Sequence, residues 1–194
     1  MAEKSRKQYD SLTMAASILT VCTANICRSP MAEAALTELT YINRLDVNVS
    51  SAGARARDGN GADPETASVA AEMGLLLDGH RSRRLTAEII ADQDLILCAE
   101  VDHLFAVVDL LPEAFERTFL LLQLADQALG RKDDEPMVDW VSRHHAGRTP
   151  HGVLQSAGQY NLGDPYRTGR KKIAAALGQI IEASRALANA LASS

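Results

Sequence analysis

Short runs of β-branched and apolar residues alternate along the chain with longer segments of helical composition. Three of these runs predict buried strands, because each is short, apolar and bounded by polar residues or glycine. They cover residues 17–21, 47–52 and 94–98. A fourth strand is expected at residues 115–122, although the leucine-rich end of that run is equally compatible with a helix.

Helical segments occupy the intervals between these strands. They are predicted at residues 31–42, 65–76, 86–91, 101–110 and 168–191. Pro30 suits the first turn of the first of these helices, and Thr86 can cap the third. The last helix shows the clearest periodicity, with one apolar stripe formed by Ile173, Leu177, Ile180, Ile181 and Leu187.

The alternation of strands and helices predicts an α/β fold. We expect a three-layer sandwich with a central four-stranded parallel sheet flanked by helices and right-handed crossovers. Residues 17–194 are expected to form a single domain, and residues 1–16 a disordered lead-in. Between residues 123 and 161 the periodic signals weaken, so this stretch is interpreted as a long insertion or a mobile segment.

Composition restricts the class of protein. The chain has 194 residues, of which 46% are hydrophobic, and a net charge of −5, which argues against a dedicated nucleic-acid binder. No apolar run approaches the roughly 20 residues that cross a bilayer, so membrane insertion is not expected. Three cysteines outside any Cys-x-x-Cys pattern favour a reducing compartment, and a cytoplasmic location is predicted. No signal in the sequence indicates an oligomeric state.

The turn between the first predicted strand and the first predicted helix contains the candidate catalytic residues. Cys22 to Arg28 connect a buried strand to the beginning of a helix, and a helix N-terminus offers free N–H groups and a positive dipole end to an anion. The Arg28 guanidinium can hold two phosphate oxygens at once. The same field stabilises the thiolate form of Cys22. We therefore predict a loop that binds phosphate and activates its own nucleophile.

The string VCTANICRSPMAE (residues 21–33) resembles the signature of the low-molecular-weight protein tyrosine phosphatases. Three further stretches are similar to this family. They are Ser-Ala-Gly at 51–53, GHRSRRLT at 79–86 with DLILC at 94–98, and Asp-Pro-Tyr at 164–166. The resemblance runs from residue 18 to the last helix and leaves the lead-in and much of 123–161 unmatched.

The resemblance implies a role for each matched residue. Cys22 is the nucleophile that forms a phosphocysteine intermediate, Arg28 binds the phosphate, and Asp164 is the general acid and base. The remaining loop positions and one aromatic wall are expected to bind substrate: Thr23, Ala24, Asn25, Ile26, Cys27, Ser29 and Tyr166. The expected partner is a phosphorylated protein, with phosphotyrosine foremost, or a small phosphate ester. This chemistry requires no metal and no cofactor.

The resemblance also implies supporting residues. Ser29 is expected to hydrogen-bond to the Cys22 sulfur, and Asn25, Ser51 and His80 to form a polar network that holds the loop. Cys27 has two interpretations, as a small buried residue or as a thiol that traps oxidised Cys22 in a reversible disulfide, and its position favours the second.

The rim of the predicted site departs from the family pattern. Residues 54–57 contain no aromatic side chain, and Arg167 follows Tyr166 where many members carry a second tyrosine. Arg55, Arg57 and Arg167 are therefore expected to make the rim cationic, which suits acidic or multiply phosphorylated substrates.

Three other functions remain open. An arsenate reductase would need an external thiol, because Cys98 stands alone at the end of a predicted strand. A protein arginine phosphatase usually has threonine after the loop asparagine, where this chain has Ile26. A non-catalytic phosphate sensor would not need Asp164. A metal site at His144, His145 and His151 is not favoured, because no carboxylate or cysteine lies at ligand spacing.

Overall fold

Four parallel strands form the centre of the computed structural model, which describes residues 15–192. The strands are β1 (Ala16–Cys22), β2 (Val47–Gly53), β3 (Leu95–Cys98) and β4 (Thr118–Leu120). Their order in the sheet is β2-β1-β3-β4. Cys22 pairs with Gly53, and Val21 pairs with Cys98. The carboxyl ends of the three longest strands therefore meet at one edge of the sheet.

Eight α-helices surround the sheet in the described part of the chain. They are α1 (Arg28–Ile42), α2 (Pro64–Glu72), α3 (Ala87–Ala91), α4 (Val101–Leu110), α5 (Leu121–Gln127), α6 (Met137–His145), α7 (Pro150–Tyr160) and α8 (Arg170–Ala192). Within residues 15–192, no helix is both long and apolar enough to cross a membrane.

Two apolar clusters form the core, one on each face of the sheet. Alternate residues of β1 enter different clusters, since Ile18 belongs to one and Leu19 to the other. The first cluster contains residues of α1, α2, α5, α6 and α8, and the second contains residues of α3, α4 and α7. The three-layer α/β sandwich predicted from the sequence is confirmed.

Two predicted elements need correction at their ends. The helix expected at residues 65–76 stops at Glu72, because Gly74 adopts a φ of +86° that a helix does not allow. The fourth strand spans only three residues. Phe115 lies in a 3₁₀-helix at Pro112–Arg117, and the leucine-rich end is helical, with Leu121 and Leu124 buried one turn apart.

The stretch from 123 to 161 contains more regular structure than its weak periodic signals predict. It holds the end of α5 and all of α6 and α7, and the prediction that it is an insertion stays a prediction. Trp140 anchors it, because its side chain is fully buried and its Nε1 donates to the carbonyl of Leu129 at 2.8 Å. Residues 1–14 of the lead-in predicted at 1–16 lie outside the described residues. Ala16, which the prediction placed in the lead-in, is the first residue of β1.

Candidate active site

The predicted loop lies at the carboxyl end of the sheet. Cys22 is the last residue of β1, and α1 begins at Arg28, so the segment between them caps the helix N-terminus as expected from the sequence. The chain passes through this turn with Asn25 at a φ of +55°. A non-glycine residue in this left-handed region is strained and needs support from its surroundings.

The Cys22 sulfur lies within hydrogen-bonding distance of two groups. Ser29 Oγ is 3.0 Å from Sγ, and the Asn25 backbone N–H donates to Sγ at 3.3 Å. The thiol is buried. With Cys22 ionised, the Ser29 hydroxyl acts as a donor, and both contacts stabilise the thiolate.

Four hydrogen bonds hold Asn25 in its strained conformation. Its Nδ2 donates to Ser29 Oγ at 2.9 Å and to Ser51 Oγ at 2.7 Å. Its Oδ1 accepts from the Arg83 backbone N–H at 2.9 Å, and its carbonyl lies 2.7 Å from His80 Nε2. The structure thus brings together the three residues predicted to form the supporting network.

Glu33 extends this network and was missed in the sequence analysis. The Ser51 hydroxyl donates to Glu33 Oε2 at 2.5 Å, and the same oxygen lies 4.0 Å from His80 Nδ1. A signal was available, since Glu33 ends the matched motif and stands four residues after Ser29 on α1, on the same face of the helix.

The Arg28 side chain is buried and held by four partners. Nη1 donates to the Leu162 carbonyl at 2.9 Å and lies 2.8 Å from Glu100 Oε2. Nη2 lies 3.2 Å from Thr23 Oγ1 and 3.3 Å from Asp164 Oδ2. The buried Nε has no partner among residues 15–192, which leaves this N–H available to a phosphate oxygen. Glu100 and Leu162 were not predicted.

A buried histidine orients Thr23, the second residue of the loop. The Glu100 backbone N–H donates to His103 Nδ1 at 3.1 Å, so the proton of the neutral ring is on Nε2 and is donated to Thr23 Oγ1 at 2.9 Å. Burial, and then the charge of Arg28, lower the pKa of His103 to about 4. Thr23 Oγ1 accepts from both His103 and Arg28, which leaves its own O–H to donate elsewhere.

A cleft of about 360 Å³ opens above the loop. Cys22, Arg28, Asp164 and the aromatic Tyr166 line it, as do four other predicted loop positions: Thr23, Ala24, Ile26 and Cys27. Asn25 and Ser29 are buried outside this lining, where their side chains support the loop. A larger cleft of about 620 Å³ lies between α1 and residues 75–80, but no cysteine lines it.

Asp164 reaches this cleft from a loop that also carries its aromatic wall. Its side chain is half exposed, and its Oδ1 accepts from the backbone N–H of Tyr166 at 3.2 Å. Tyr166 is itself stacked under the Arg167 guanidinium, 5.0 Å from the ring centroid. The Asp164 carboxyl group and the Cys22 sulfur therefore face the same solvent-accessible cleft.

The other cysteines differ from Cys22. Cys27 is buried and accepts a hydrogen bond from the Thr66 hydroxyl at 3.2 Å. Burial raises its pKa to about 12, so it carries its proton at neutral pH. Cys98 lies fully buried in β3, and burial also raises its pKa.

The three histidines considered as metal ligands have other surroundings. His144 packs against Trp140 with ring centroids 4.1 Å apart, and His145 meets Phe115 edge-on at 5.5 Å. His151 is exposed in the first turn of α7. Within residues 15–192, no three histidine, cysteine or acidic side chains are grouped so that they could hold a metal ion.

Gly53 offers a test of how closely the loop is packed. A Cβ at this position would lie 2.8 Å from the Asn25 nitrogen and 2.9 Å from both the Ala24 carbonyl carbon and the Ala56 Cβ. We expect Gly53→Ala to displace the loop and to lower kcat/KM by about 10²-fold. Steady-state kinetics on an aryl phosphate measure this effect.

Gly178→Ala is the matched control, because nothing lies within 4 Å of a Cβ built on this α8 residue. It should keep full activity and gain up to about 1 kcal/mol of stability from helix propensity. An unchanged kcat/KM in Gly53→Ala would show that the loop tolerates displacement.

Comparison with known proteins places this geometry in a family. The model of the low molecular weight phosphotyrosine protein phosphatases matches residues 17–136. The low molecular weight protein-tyrosine-phosphatase Etp of Escherichia coli (strain K12) is 44% identical over 112 residues, which cover 57% of this chain and 72% of Etp.

Solved structures agree with this assignment. Vibrio vulnificus Wzb in complex with benzylphosphonate has a TM-score of 0.68 at 30% identity and covers 91% of this chain and 99% of its own. The YwlE arginine phosphatase from Geobacillus stearothermophilus has a TM-score of 0.67 at 28% identity, with coverages of 89% and 90%. The family match, the sequence identity and the fold agree, and the chain belongs to the low molecular weight phosphotyrosine protein phosphatase family.

Proposed function

We propose that this phosphatase hydrolyses phosphate monoesters, with protein phosphotyrosine as the main substrate, through a phosphocysteine intermediate on Cys22. The observation that carries the proposal is the position of the Cys22 sulfur. It lies at a helix N-terminus, within reach of Ser29 Oγ and the Asn25 N–H, and shares a cleft with Arg28 and Asp164.

Binding of the phosphate uses groups that the fold holds in place. The backbone N–H groups at the beginning of α1 and the helix dipole attract the dianion. The free Nε–H of Arg28 adds a charged donor, while Glu100 and the Leu162 carbonyl fix the guanidinium from the other side. Because these donors are already oriented, they can stabilise the charge spread over the equatorial oxygens in the transition state.

The first transfer moves the phosphoryl group to sulfur. The Cys22 thiolate forms the S–P bond while the P–O bond to the leaving group breaks, and protonated Asp164 gives its proton to the leaving oxygen. The second transfer reverses these roles. Asp164 accepts a proton from water, the water oxygen bonds to phosphorus, and the S–P bond breaks to release inorganic phosphate. Ser29 and the Asn25 N–H stabilise the thiolate that departs.

Phosphotyrosine is the proposed substrate for two reasons. Etp is named a protein-tyrosine-phosphatase, and Tyr166 supplies an aromatic wall next to Asp164 in the cleft. A flat ring can pack against such a wall. Phosphoarginine is the second candidate, because an arginine phosphatase shares the fold, although the loop has Ile26 rather than threonine.

A substrate panel tests this proposal. We expect the wild-type protein to hydrolyse p-nitrophenyl phosphate and phosphotyrosine peptides, with a higher kcat/KM for phosphotyrosine than for phosphoserine or phosphoarginine in the same peptide. Faster turnover of phosphoarginine would reassign the substrate. Thiol-dependent reduction of arsenate without ester hydrolysis would indicate a reductase, and phosphate binding without any turnover would indicate a sensor.

Three further expectations accompany this function. The unpaired thiols Cys22, Cys27 and Cys98 support a cytoplasmic location, which cell fractionation checks.

Both apolar clusters pack on one sheet, which supports a single domain over residues 17–194 and predicts one cooperative thermal transition.

The trapping of oxidised Cys22 by Cys27 stays a prediction. It would be supported if peroxide inactivated Cys27→Ser irreversibly while a thiol reductant restored the activity of the peroxide-treated wild type.

A further inference from the structure

We propose that Arg55 and Arg57 form a second anion-binding subsite at the mouth of the Cys22 cleft. The favoured substrates are then acidic phosphopeptides, with a second negatively charged group beside the residue that loses its phosphate. The proposal rests on the phosphatase function proposed above and adds the substrate class. Both arginines are exposed and line the same cleft as Cys22 and Asp164.

The backbone of this rim is tied to the catalytic loop. The N–H of Ala54 donates to the Cys22 carbonyl at 2.9 Å, and that of Arg55 donates to the Thr23 carbonyl at 2.8 Å. Ala56 is buried between the two arginines. The two exposed side chains therefore project from a segment whose distance from the nucleophile is set by direct hydrogen bonds.

A second set of hydrogen bonds fixes the far end of the rim. The Arg57 carbonyl accepts from Ser82 Oγ at 2.5 Å and from Asn60 Nδ2 at 3.2 Å. The Gly59 N–H donates to the Ser82 carbonyl at 2.8 Å. Residues 54–60 are thus anchored at both ends, which lowers the entropic cost of presenting two cations to a ligand.

The guanidinium groups of Arg55 and Arg57 have no ion-pair or hydrogen-bond partner in the described part of the chain. The two other arginines at the site already have partners: Arg28 is buried between two carboxylates, and Arg167, predicted to belong to this rim, stacks on Tyr166. Arg55 and Arg57 are therefore the rim cations that a ligand can reach without breaking an existing contact.

The charge of the cleft explains why these cations matter. Without them, the charge of Arg28 is balanced by the Glu100 carboxylate, Asp164 is protonated and neutral when the first transfer begins, and the Cys22 thiolate adds one negative charge. The side chains of the site then carry a net negative charge, and only the backbone N–H groups and the dipole of α1 attract a dianionic ester. The positive charges of Arg55 and Arg57 make the electrostatic potential at the mouth of the cleft positive. A positive potential there steers anionic ligands into the cleft and retains them.

The chemistry of guanidinium defines the second group. Its planar fork binds carboxylate and phosphate oxygens in pairs. A peptide whose phosphotyrosine reaches Cys22 can place a neighbouring carboxylate, or a neighbouring second phosphate, against Arg55 and Arg57. Both are oxyanions on the same acidic peptide, and substrates that carry one or the other distinguish them.

The test compares one phosphotyrosine peptide in three forms, with neutral neighbours, with aspartate neighbours, and with a second phosphotyrosine. We expect the kcat/KM of the wild type to be about ten-fold higher for both acidic forms than for the neutral form, which is the size of effect that two exposed ion pairs can supply. The difference should come chiefly from a lower KM. In the Arg55→Gln/Arg57→Gln variant, the ratio of acidic to neutral kcat/KM should fall towards one. Raising the salt concentration should lower the wild-type ratio.

The matched control removes two positive charges elsewhere. Lys171→Gln/Arg185→Gln changes two exposed residues of α8 that do not line the cleft, so it should keep the wild-type ratio and the wild-type melting temperature. A double arginine variant that keeps the acidic preference would overturn the subsite, as would a wild type without any preference. A wild type that fails to hydrolyse p-nitrophenyl phosphate would instead overturn the proposed function.

Discussion

Cys22→Ser is expected to abolish turnover, with kcat for an aryl phosphate falling by at least about 10⁴-fold. The serine oxygen is a far weaker nucleophile than a thiolate at neutral pH. The hydrogen bonds from the Asn25 N–H and from Ser29 Oγ are aimed at the sulfur position, and they do not ionise an alcohol. Steady-state kinetics with p-nitrophenyl phosphate measure the loss.

Phosphate binding should survive this substitution. The α1 N-terminus and the Arg28 guanidinium stay in place, because Arg28 is held by Glu100, Thr23 and the Leu162 carbonyl rather than by Cys22. Calorimetric titration with inorganic phosphate should therefore give a dissociation constant close to that of the wild type. In the wild type, rapid acid quenching and intact-mass measurement should also detect a phosphorylated cysteine that Cys22→Ser lacks.

Cys98→Ala serves as the control for cysteine replacement. Its thiol is buried in the core between β1 and β4, away from the cleft, so the variant should lose roughly 1–2 kcal/mol of stability and keep its activity. Turnover by Cys22→Ser at a rate close to that of the wild type would rule out the phosphocysteine route. Loss of phosphate binding would mean that the sulfur is part of the anion site itself.

Asp164→Asn is expected to lower kcat for phosphotyrosine by roughly 10²- to 10⁴-fold. Its carboxyl group faces the cleft at 3.3 Å from Arg28 Nη2, and the amide can neither give a proton to the leaving oxygen nor take one from water. The tyrosyl leaving group has a pKa of about 10 and departs poorly as an anion. The loss should therefore be smaller for p-nitrophenyl phosphate, whose leaving group is a weaker base.

Leaving-group dependence separates this role from a structural one. A series of aryl phosphates should give a steeper dependence of kcat on leaving-group basicity in Asp164→Asn than in the wild type, until hydrolysis of the intermediate limits the rate. Asp109→Asn, an exposed residue near the end of α4, should match the wild type throughout. An equal loss for all leaving groups would assign Asp164 to positioning Arg28 instead of proton transfer.

Most of the catalytic loop could be predicted because its chemistry is local. A buried strand, a turn of seven residues that begins at Cys22 and ends at Arg28, and a helix after it define an anion site within one short stretch of sequence. The resemblance to the family added Asp164, and the structure brings it to the same cleft. The predicted order of strands and helices held for the same reason, since hydrophobic periodicity reports local burial.

The helices at 137–160 were missed because their signal is not local. Short helices separated by proline and glycine carry little periodicity, and the burial of Trp140 depends on neighbours such as Leu129 and on the wider core. Tertiary packing stabilises such helices more than their own propensity does.

The sequence by itself determined how Cys22, the proposed nucleophile, and Arg28, the proposed phosphate-binding residue, are placed on one strand-loop-helix, because backbone geometry holds residues a few positions apart in a set arrangement. Only the tertiary structure decided which distant groups complete the site. Glu100 meets Arg28 because β3 lies beside β1 in the sheet, and Arg83 meets Asn25 because its segment crosses the end of β2. Sheet order and register set these contacts, and neither can be read from the spacing of residues along the chain.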